Sequence, residues 1–276
     1  AINGFLKRVP YIVIEETSDP IHRNWKANVL MRLFSLVSDK VIGVSQATCD
    51  YLKNTAKVNP KKIQLINNGV KQPRVVSESE KTALKTALNI TDQDFIVGSV
   101  GRMIDDGNKR FSDLIKAVSL LIEKGCAVKL LLVGEGKERP VYEKLVEELG
   151  ISNQVIFTKY QNDVAKYYSI MDVFSLVSAN ESFGLVLAEA MYCHLPIVAT
   201  RVGGMQYIVE DGKTGFLVEK YNVKAISEAL ENLYRNRGIC KEFGAAGYDR
   251  VIQEFSETVY VTKIEQLYEG LMNNMK

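Results

Sequence analysis

Short apolar runs alternate with segments of helical spacing in the first part of the chain. The runs have the length and composition typical of buried strands, and the segments between them repeat apolar positions as one face of a helix does. This pattern predicts a strand, helix, strand, helix, strand series, with strands at 11–14, 40–45 and 62–70 and helices at 25–37 and 46–53. The last strand ends in Asn-Asn-Gly, a turn signal.

After a polar stretch at 71–80, a short helix opens a second, longer series. Near-continuous apolar strands separated by helices indicate a parallel sheet covered on both faces. We therefore predict an α/β protein with a doubly wound, Rossmann-like second domain, and we place the domain boundary near Lys71, between domains 1–71 and 72–276. The strands of the second series are predicted at 95–99, 128–133, 154–158, 173–177, 196–200 and 215–218.

Composition narrows the class of protein without deciding it. The 276 residues are 46% hydrophobic and 25% charged, which is typical of a globular chain. The net charge of +2 is too small to indicate a nucleic-acid-binding protein. The four cysteines are scattered without paired spacing, so we expect reduced thiols and a cytoplasmic setting, with metal or disulfide use as the alternative. Because no run of 18 apolar residues and no signal peptide is visible, we expect no membrane span and no export.

Two carboxylates surround a glycine at a predicted helix start. Glu181 lies in a polar loop after an apolar strand, Gly184 follows it, and Glu189 lies on the predicted helix. A helix N-terminus presents unpaired N–H groups and a partial positive charge, which suit a phosphate, and a glycine lets the ligand approach closely. Carboxylates accept hydrogen bonds from hydroxyl groups. A nucleotide-sugar has this arrangement of hydroxyls on both sides of a diphosphate.

Further motifs agree with one known family. Glu181 and Glu189 are separated by seven residues that include Phe-Gly, and Pro-Ile-Val-Ala-Thr and Val-Gly-Gly follow. The other matching segments, in order, are VGSVGRM, KRFSDLIKA, LLLVGEG, VIFTKY, EDGKTGFLV and EFSETVYVTKIEQLYEGL. Together they resemble the retaining glycosyltransferases of group 1, or family 4, with the GT-B fold. The alternative is a generic doubly wound domain with glycine turns.

The resemblance implies a function. A retaining enzyme of this family moves a sugar from a nucleotide diphosphate to an acceptor, here a glycan or a lipid-linked molecule. The implied donor is a UDP-sugar or a GDP-sugar, with a preference for uridine. No metal and no other cofactor are expected, because the departing diphosphate would be stabilised by cations and by the helix at Gly184. Peripheral contact with the inner face of the membrane stays open.

The resemblance also implies roles for individual residues. Arg102, which follows Gly101 at the end of the first strand of the second domain, and Lys109 would hold the diphosphate. Arg110 is adjacent to Lys109 and is the alternative to it, since the preceding loop is longer than usual.

The remaining implied roles concern the two ends of the donor. Glu189 would bind the ribose hydroxyls, Glu181 would contact the transferred sugar, and Tyr160 would lie near the nucleobase. The family often has glycine where Lys159 and Ser182 stand here, which changes the shape of the base pocket and the surroundings of Glu181. Backbone N–H groups for the sugar and the phosphate would come from Phe183, Gly184 and Leu185.

The histidines and an Asp-x-Asp pair are the other polar residues that could belong to a site. Many relatives have a histidine after the first strand, where this chain has Glu15 and Glu16; His22 is the alternative catalytic contributor. His194 is interpreted as a helix-end residue. The Asp-x-Asp pair at 92–94 precedes a strand, so we interpret it as a turn and not as a metal site.

The family's amino-terminal domain begins well before Ala1 in the register of the match. We therefore expect this chain to bind donor and to transfer sugar poorly, with a carboxyl-terminal helix at 257–271 crossing back onto the first domain. That helix should pack through one apolar face, formed by Val261, Ile264, Leu267, Tyr268 and Leu271.

Two other functions are alternatives to sugar transfer. One is a nucleotide-sugar-binding module without turnover, and the other is a sugar-nucleotide epimerase of the same fold, which needs additional acid and base carboxylates.

Overall fold

The structure is a computed structural model that describes residues 12–15, 24–104 and 107–273. Its first part contains a three-stranded parallel sheet in the order β1-β2-β3. The predicted alternation is confirmed there. The elements are β1 (Ile12–Glu15), α1 (Trp25–Val37), β2 (Lys40–Gly43), α2 (Gln46–Asn54), a 3-10 turn (Pro60–Lys62) and β3 (Ile63–Leu65).

The third strand is shorter than the predicted strand at 62–70. Ile66 still donates its N–H to the carbonyl of Gly43, where β2 ends, at 3.2 Å. Beyond that point β2 offers no further partner, and Val70 instead forms a bridge with Ser256 from the carboxyl-terminal part of the chain. Val70 is therefore buried outside the strand, because it pairs with a distant segment of the chain.

The second part contains a six-stranded parallel sheet in the order β6-β5-β4-β7-β8-β9 among the described residues. Every strand predicted for it is present, and the doubly wound fold is confirmed. Its strands are β4 (Phe95–Val100), β5 (Val128–Val133), β6 (Val155–Phe157), β7 (Val173–Leu176), β8 (Ile197–Thr200) and β9 (Gly215–Val218). The helices are α3 (Glu78–Ala87), α4 (Phe111–Glu123), α5 (Arg139–Glu148), α6 (Ala165–Tyr168), α7 (Leu185–Tyr192), α8 (Met205–Ile208), α9 (Val223–Arg235) and α10 (Arg237–Arg250).

The strands are mostly apolar because helices cover both faces of the sheet. Side chains alternate between the two faces of a strand. Phe95 and Val97 of β4 accordingly pack in one buried cluster with α4 and α9, and Ile96 packs in another with α6 and α7. Both clusters are continuous across the sheet, and they fix the strand ends that carry the loops described below.

The connection after β4 leads to β5 on one side of the sheet, and the connection after β7 leads to β8 on the other side. β4 pairs with β5 on one side and with β7 on the other, so the strand order reverses between β4 and β7. In open α/β sheets, ligands bind outside the carboxyl ends of the strands at such a switch point. The loops after β4 and β7 are the ones that carry the predicted diphosphate and sugar residues.

The carboxyl-terminal segment returns to the first sheet. A π-helical turn (Val251–Phe255) precedes α11 (Glu257–Asn273), and a side chain at Gly69 would meet Tyr260 of this helix. The prediction that this helix packs through its whole apolar face is wrong. No residue of α11 is buried, and the side chains of Val261 and Tyr268 are 43% and 44% exposed. One side of α11 lies next to β3, at the edge of the three-stranded sheet, and its other sides are exposed to solvent.

Two further predictions can be compared with the structure. The four cysteines all lie within the described residues and are free thiols, as predicted. Within the described ranges, no helix is both long enough and apolar enough to cross a membrane.

Candidate functional site

The loop that carries Glu181 is fixed through its backbone. Ala179 donates its N–H to the carbonyl of Asn108 at 2.6 Å, and Gly204 donates to the carbonyl of Glu181 at 2.8 Å. Gly203 has a φ of +48° and lies so close that a Cβ there would overlap the Glu181 carbonyl oxygen. The Val-Gly-Gly motif therefore permits a close approach of two loops.

Lys109 and Glu181 meet at the switch point. Their Nζ and Oε2 atoms are 2.6 Å apart, and the side chains are 23% and 21% exposed. Gly101 lies beside them, since a Cβ at this position would stand 3.7 Å from Cδ of Lys109. The predicted diphosphate cation and the predicted sugar carboxylate thus form one ion pair outside the ends of β4 and β7.

Arg110 is turned away from this pair. It donates two hydrogen bonds of 2.9 Å to the carboxylate of Asp113, which is buried, and its guanidinium lies 5.0 Å from the ring centre of Tyr221. The hydrogen bonds to Asp113 raise the pKa of Arg110, so it stays a cation. Arg110 is thus engaged at the start of α4, whereas Lys109 faces Glu181, and the assignment of the diphosphate to Lys109 stays a prediction. Arg102 lies exposed just beyond the end of β4.

The start of α7 has the geometry expected of an anion site. Gly184 is the N-cap with a φ of +99°, and no side chain caps the helix. Its first N–H groups are left to other partners. Leu185 is exposed at the first turn, whereas Phe183 is buried against Phe255, with ring centres 5.7 Å apart. The side chain of Phe183 therefore belongs to the core, and any contact with a donor would involve its backbone.

Glu189 lies apart from the Lys109–Glu181 pair. Its Oε2 accepts a hydrogen bond of 2.8 Å from the hydroxyl of Tyr168. It lines a cavity of about 420 Å³ together with Lys71 and Asn162. Sequence reasoning missed Tyr168, because a tyrosine in an apolar segment has the pattern of a core residue.

The remaining candidates differ in what surrounds them. Tyr160 is 72% exposed, and its N–H is 3.5 Å from Oε2 of Glu135. His194 has a φ of +55° at the end of α7 and stacks on Tyr248 at 4.2 Å between ring centres, which confirms the helix-end interpretation. Asp94 accepts the N–H of Thr91 at 2.7 Å, as a turn residue does.

Some predictions fall outside the described residues. Glu16 and His22 lie there, and the side chain of Glu15 is not described, so the acceptor side of the reacting centre stays a prediction. Among the described residues, no three His, Cys, Asp or Glu side chains are assembled as a metal site. Independence from metal likewise stays a prediction.

The architecture and the arrangement of charges indicate a class of protein. A doubly wound sheet with a cation and an uncapped helix start at the switch point is the arrangement in which α/β proteins bind anionic ligands such as nucleotides. The sequence profile of the family described as glycosyl transferases group 1 matches residues 80–250, more than half of the chain. The chain belongs to this family.

Curated relatives agree with this assignment. The chain is 30% identical over 249 residues to N-acetyl-alpha-D-glucosaminyl L-malate synthase of Bacillus anthracis, covering 90% of the chain and 64% of the relative. It is 31% identical over 207 residues to the capsular polysaccharide biosynthesis glycosyltransferase CapM of Staphylococcus aureus, covering 75% of the chain and 54% of the relative. The chain thus spans less than two thirds of the length of these relatives.

Solved structures agree on the fold. The Anabaena protein HepE in complex with UDP superposes with a TM-score of 0.85 over 99% of this chain and 74% of HepE, at 24% identity. The HepE complex with UDP-glucose gives 0.82. The neighbours are GT-B glycosyltransferases, which confirms the predicted fold.

Proposed function

We propose that this chain provides the donor-binding part of an enzyme that moves a sugar from a nucleotide diphosphate to a glycan or lipid-linked acceptor, with retention of anomeric configuration. Residues 72–276 bind the donor in this proposal, and residues 1–71 belong to the acceptor side. Family membership supports the class of reaction, while retention and the acceptor rest on the resemblance of the motifs.

The observation that carries the proposal is the ion pair of Lys109 and Glu181 at the switch point. A diphosphate bound between Lys109, Arg102 and the start of α7 would replace Glu181 as the partner of Lys109. The carboxylate of Glu181 would then accept hydrogen bonds from the sugar hydroxyls. The same groups would stabilise the negative charge that develops on the leaving diphosphate. Bond breaking is thereby assisted without a metal.

The proposed donor is a uridine diphosphate sugar. HepE, a structural neighbour, has been solved with UDP and with UDP-glucose. The CapM relative is named for capsular polysaccharide, and the Bacillus anthracis relative for a small-molecule glucosaminyl product. Both names describe the synthesis of a glycosylated product, and the products differ. Binding and transfer assays are therefore needed to identify the sugar and the acceptor.

Calorimetric titration with UDP, GDP and uridine tests the proposal. We expect UDP to bind more tightly than GDP and far more tightly than uridine. Arg102→Ala and Lys109→Ala should each weaken UDP binding by about tenfold or more and leave uridine binding nearly unchanged. Absence of binding by either diphosphate would contradict the proposed function, and equal losses for UDP and uridine would remove both cations from the diphosphate.

A further inference from the structure

A buried tyrosine lies directly beside the carboxylate of Glu189. Tyr168 is the last residue of α6, and it is 1% exposed. Its hydroxyl donates a hydrogen bond of 2.8 Å to Oε2 of Glu189 on α7. The two residues are 21 positions apart, so the fold is what brings them together.

The ring of Tyr168 is held by packing. It meets Phe174 of β7 edge to face, with ring centres 5.6 Å apart and planes at 66°, and it belongs to the buried cluster that includes Leu187 and Ala188. Its backbone N–H donates to the carbonyl of Val164 at 3.1 Å. A ring fixed on this many sides presents its hydroxyl at one point in space.

The hydroxyl acts as a donor over the whole physiological range of pH. Burial, and then the charge of Glu189, raises the pKa of Tyr168 well above its usual value. An ionised carboxylate is an acceptor at both of its oxygens, and Oε1 of Glu189 accepts no hydrogen bond from any residue that the structure describes. Glu189 also borders the cavity of about 420 Å³ and is partly exposed, so its side chain lies next to open space.

A purely structural role would not need the hydroxyl. Phenylalanine would fill the same apolar space, whereas a phenol must find a partner when it is buried. Here the partner is a carboxylate on the neighbouring helix. A glutamate side chain has three rotatable bonds, and anchoring one oxygen removes most of the freedom of the other.

We propose that Tyr168 is a positioning residue that anchors Oε2 of Glu189 and leaves Oε1 to accept a hydrogen bond from a ribose hydroxyl of the donor. This inference rests on the proposed function, in which Glu189 binds the ribose. In this proposal Tyr168 acts through Glu189, because its hydroxyl hydrogen is already donated to Oε2.

The test compares UDP with 2′,3′-dideoxy-UDP by calorimetry, using the 276-residue chain and two variants. Tyr168→Phe should weaken UDP binding by about five- to tenfold and change binding of the dideoxy analogue by less than about twofold. Tyr167→Phe is the matched control, because Tyr167 is a buried tyrosine of the same short helix without a hydrogen bond to Glu189. It should bind both nucleotides as the wild type does.

A double-mutant cycle separates positioning from general loosening of the core. In a Glu189→Gln background, Tyr168→Phe should add little further loss of UDP affinity, because residue 189 then has no second carboxylate oxygen for Tyr168 to position toward the ribose. Equal weakening of both nucleotides by Tyr168→Phe, or fully additive losses in the cycle, would overturn the inference.

The wild type distinguishes this inference from the function on which it rests. If the wild type binds UDP and the dideoxy analogue equally, then Glu189 does not read the ribose, and the inference is overturned while donor binding stands. If the wild type binds no nucleotide diphosphate, both the proposed function and the inference are contradicted.

Discussion

The loop that carries Glu181 and the helix that carries Glu189 hold their carboxylates by opposite means. The loop of Glu181 is fixed through its backbone, where Ala179 bonds to Asn108 and Glu181 bonds to Gly204, and the side chain of Glu181 is paired with a cation. Glu189 has its backbone in a regular helix, and its side chain is held by a neutral phenol.

The contrast indicates which carboxylate is able to change partners. A diphosphate competes with Glu181 for Lys109, because both are anions and the pair is partly exposed. Nothing in a donor competes in that way for the buried hydroxyl of Tyr168. We therefore expect Glu181 to rearrange when donor binds and Glu189 to keep its position, and the predictions below test that contrast.

The strongest effect is expected at the glycine turn. Gly203→Ala places a methyl group on the carbonyl of Glu181 and requires an alanine at a φ of +48°. We expect a loss of about 2–3 kcal/mol in the free energy of unfolding, measured in urea. Discrimination between UDP-sugar and UDP should be lost, while discrimination of the ribose stays.

Gly238→Ala is the matched control for the glycine turn. Gly238 lies in α10, its φ is not positive, and no atom lies within 4 Å of the point that an added Cβ would occupy. Alanine there should be neutral or should stabilise the protein by up to about 1 kcal/mol. Wild-type stability in both variants would show that the two loops do not depend on their close approach.

The second prediction separates Lys109 from its neighbour. Lys109→Ala should weaken UDP binding by about tenfold or more with a small change in stability. Arg110→Ala should do the reverse: it leaves the buried Asp113 without its cation and costs about 1–3 kcal/mol in the free energy of unfolding, with UDP affinity nearly kept. Calorimetry and urea unfolding of both variants measure the two effects, and an exchange of the two outcomes would assign the diphosphate to Arg110.

The third prediction compares the two carboxylates directly. Glu181→Gln should reduce affinity for UDP-glucose about five- to tenfold and leave affinity for UDP unchanged or higher, because Lys109 is freed from its partner. Glu189→Gln should weaken UDP and UDP-glucose by similar factors and hardly affect 2′,3′-dideoxy-UDP. Identical profiles for the two variants would contradict the division of roles.

The weakest effect concerns a thiol next to α7. Burial, and then the charge of Glu189, raises the pKa of Cys193 to about 11. Glu189→Gln removes that charge, so the pKa of Cys193 should fall, and its alkylation by iodoacetamide at about pH 8.5 should become about two- to threefold faster.

Cys240 supplies the internal control for the thiol measurement. Its pKa is also raised by burial, and the charges that act on it belong to Arg237 and Asp172. Its alkylation rate should be unchanged in Glu189→Gln, as followed by peptide mass spectrometry. Faster reaction of both cysteines would indicate a loosened fold and not a local charge effect.

Local patterns in the chain were enough to predict the order of strands and helices. Apolar periodicity and glycine turns are local signals, so the six strands of the second sheet were predicted within a residue or two of their ends. The spacing of Glu181 and Glu189 around Gly184 likewise marks a helix start with a carboxylate on either side.

Which side chains meet depends on the tertiary structure. Lys109 and Glu181 are 72 residues apart, and the tertiary structure decides that Lys109 meets Glu181 whereas Arg110 meets Asp113 and Tyr221. The early end of β3 and the uncovered side of α11 were not predictable, because both depend on a partner segment distant in sequence. Periodicity shows which residues lie on the same face of a helix or strand. Packing between helices and strands decides what that face contacts.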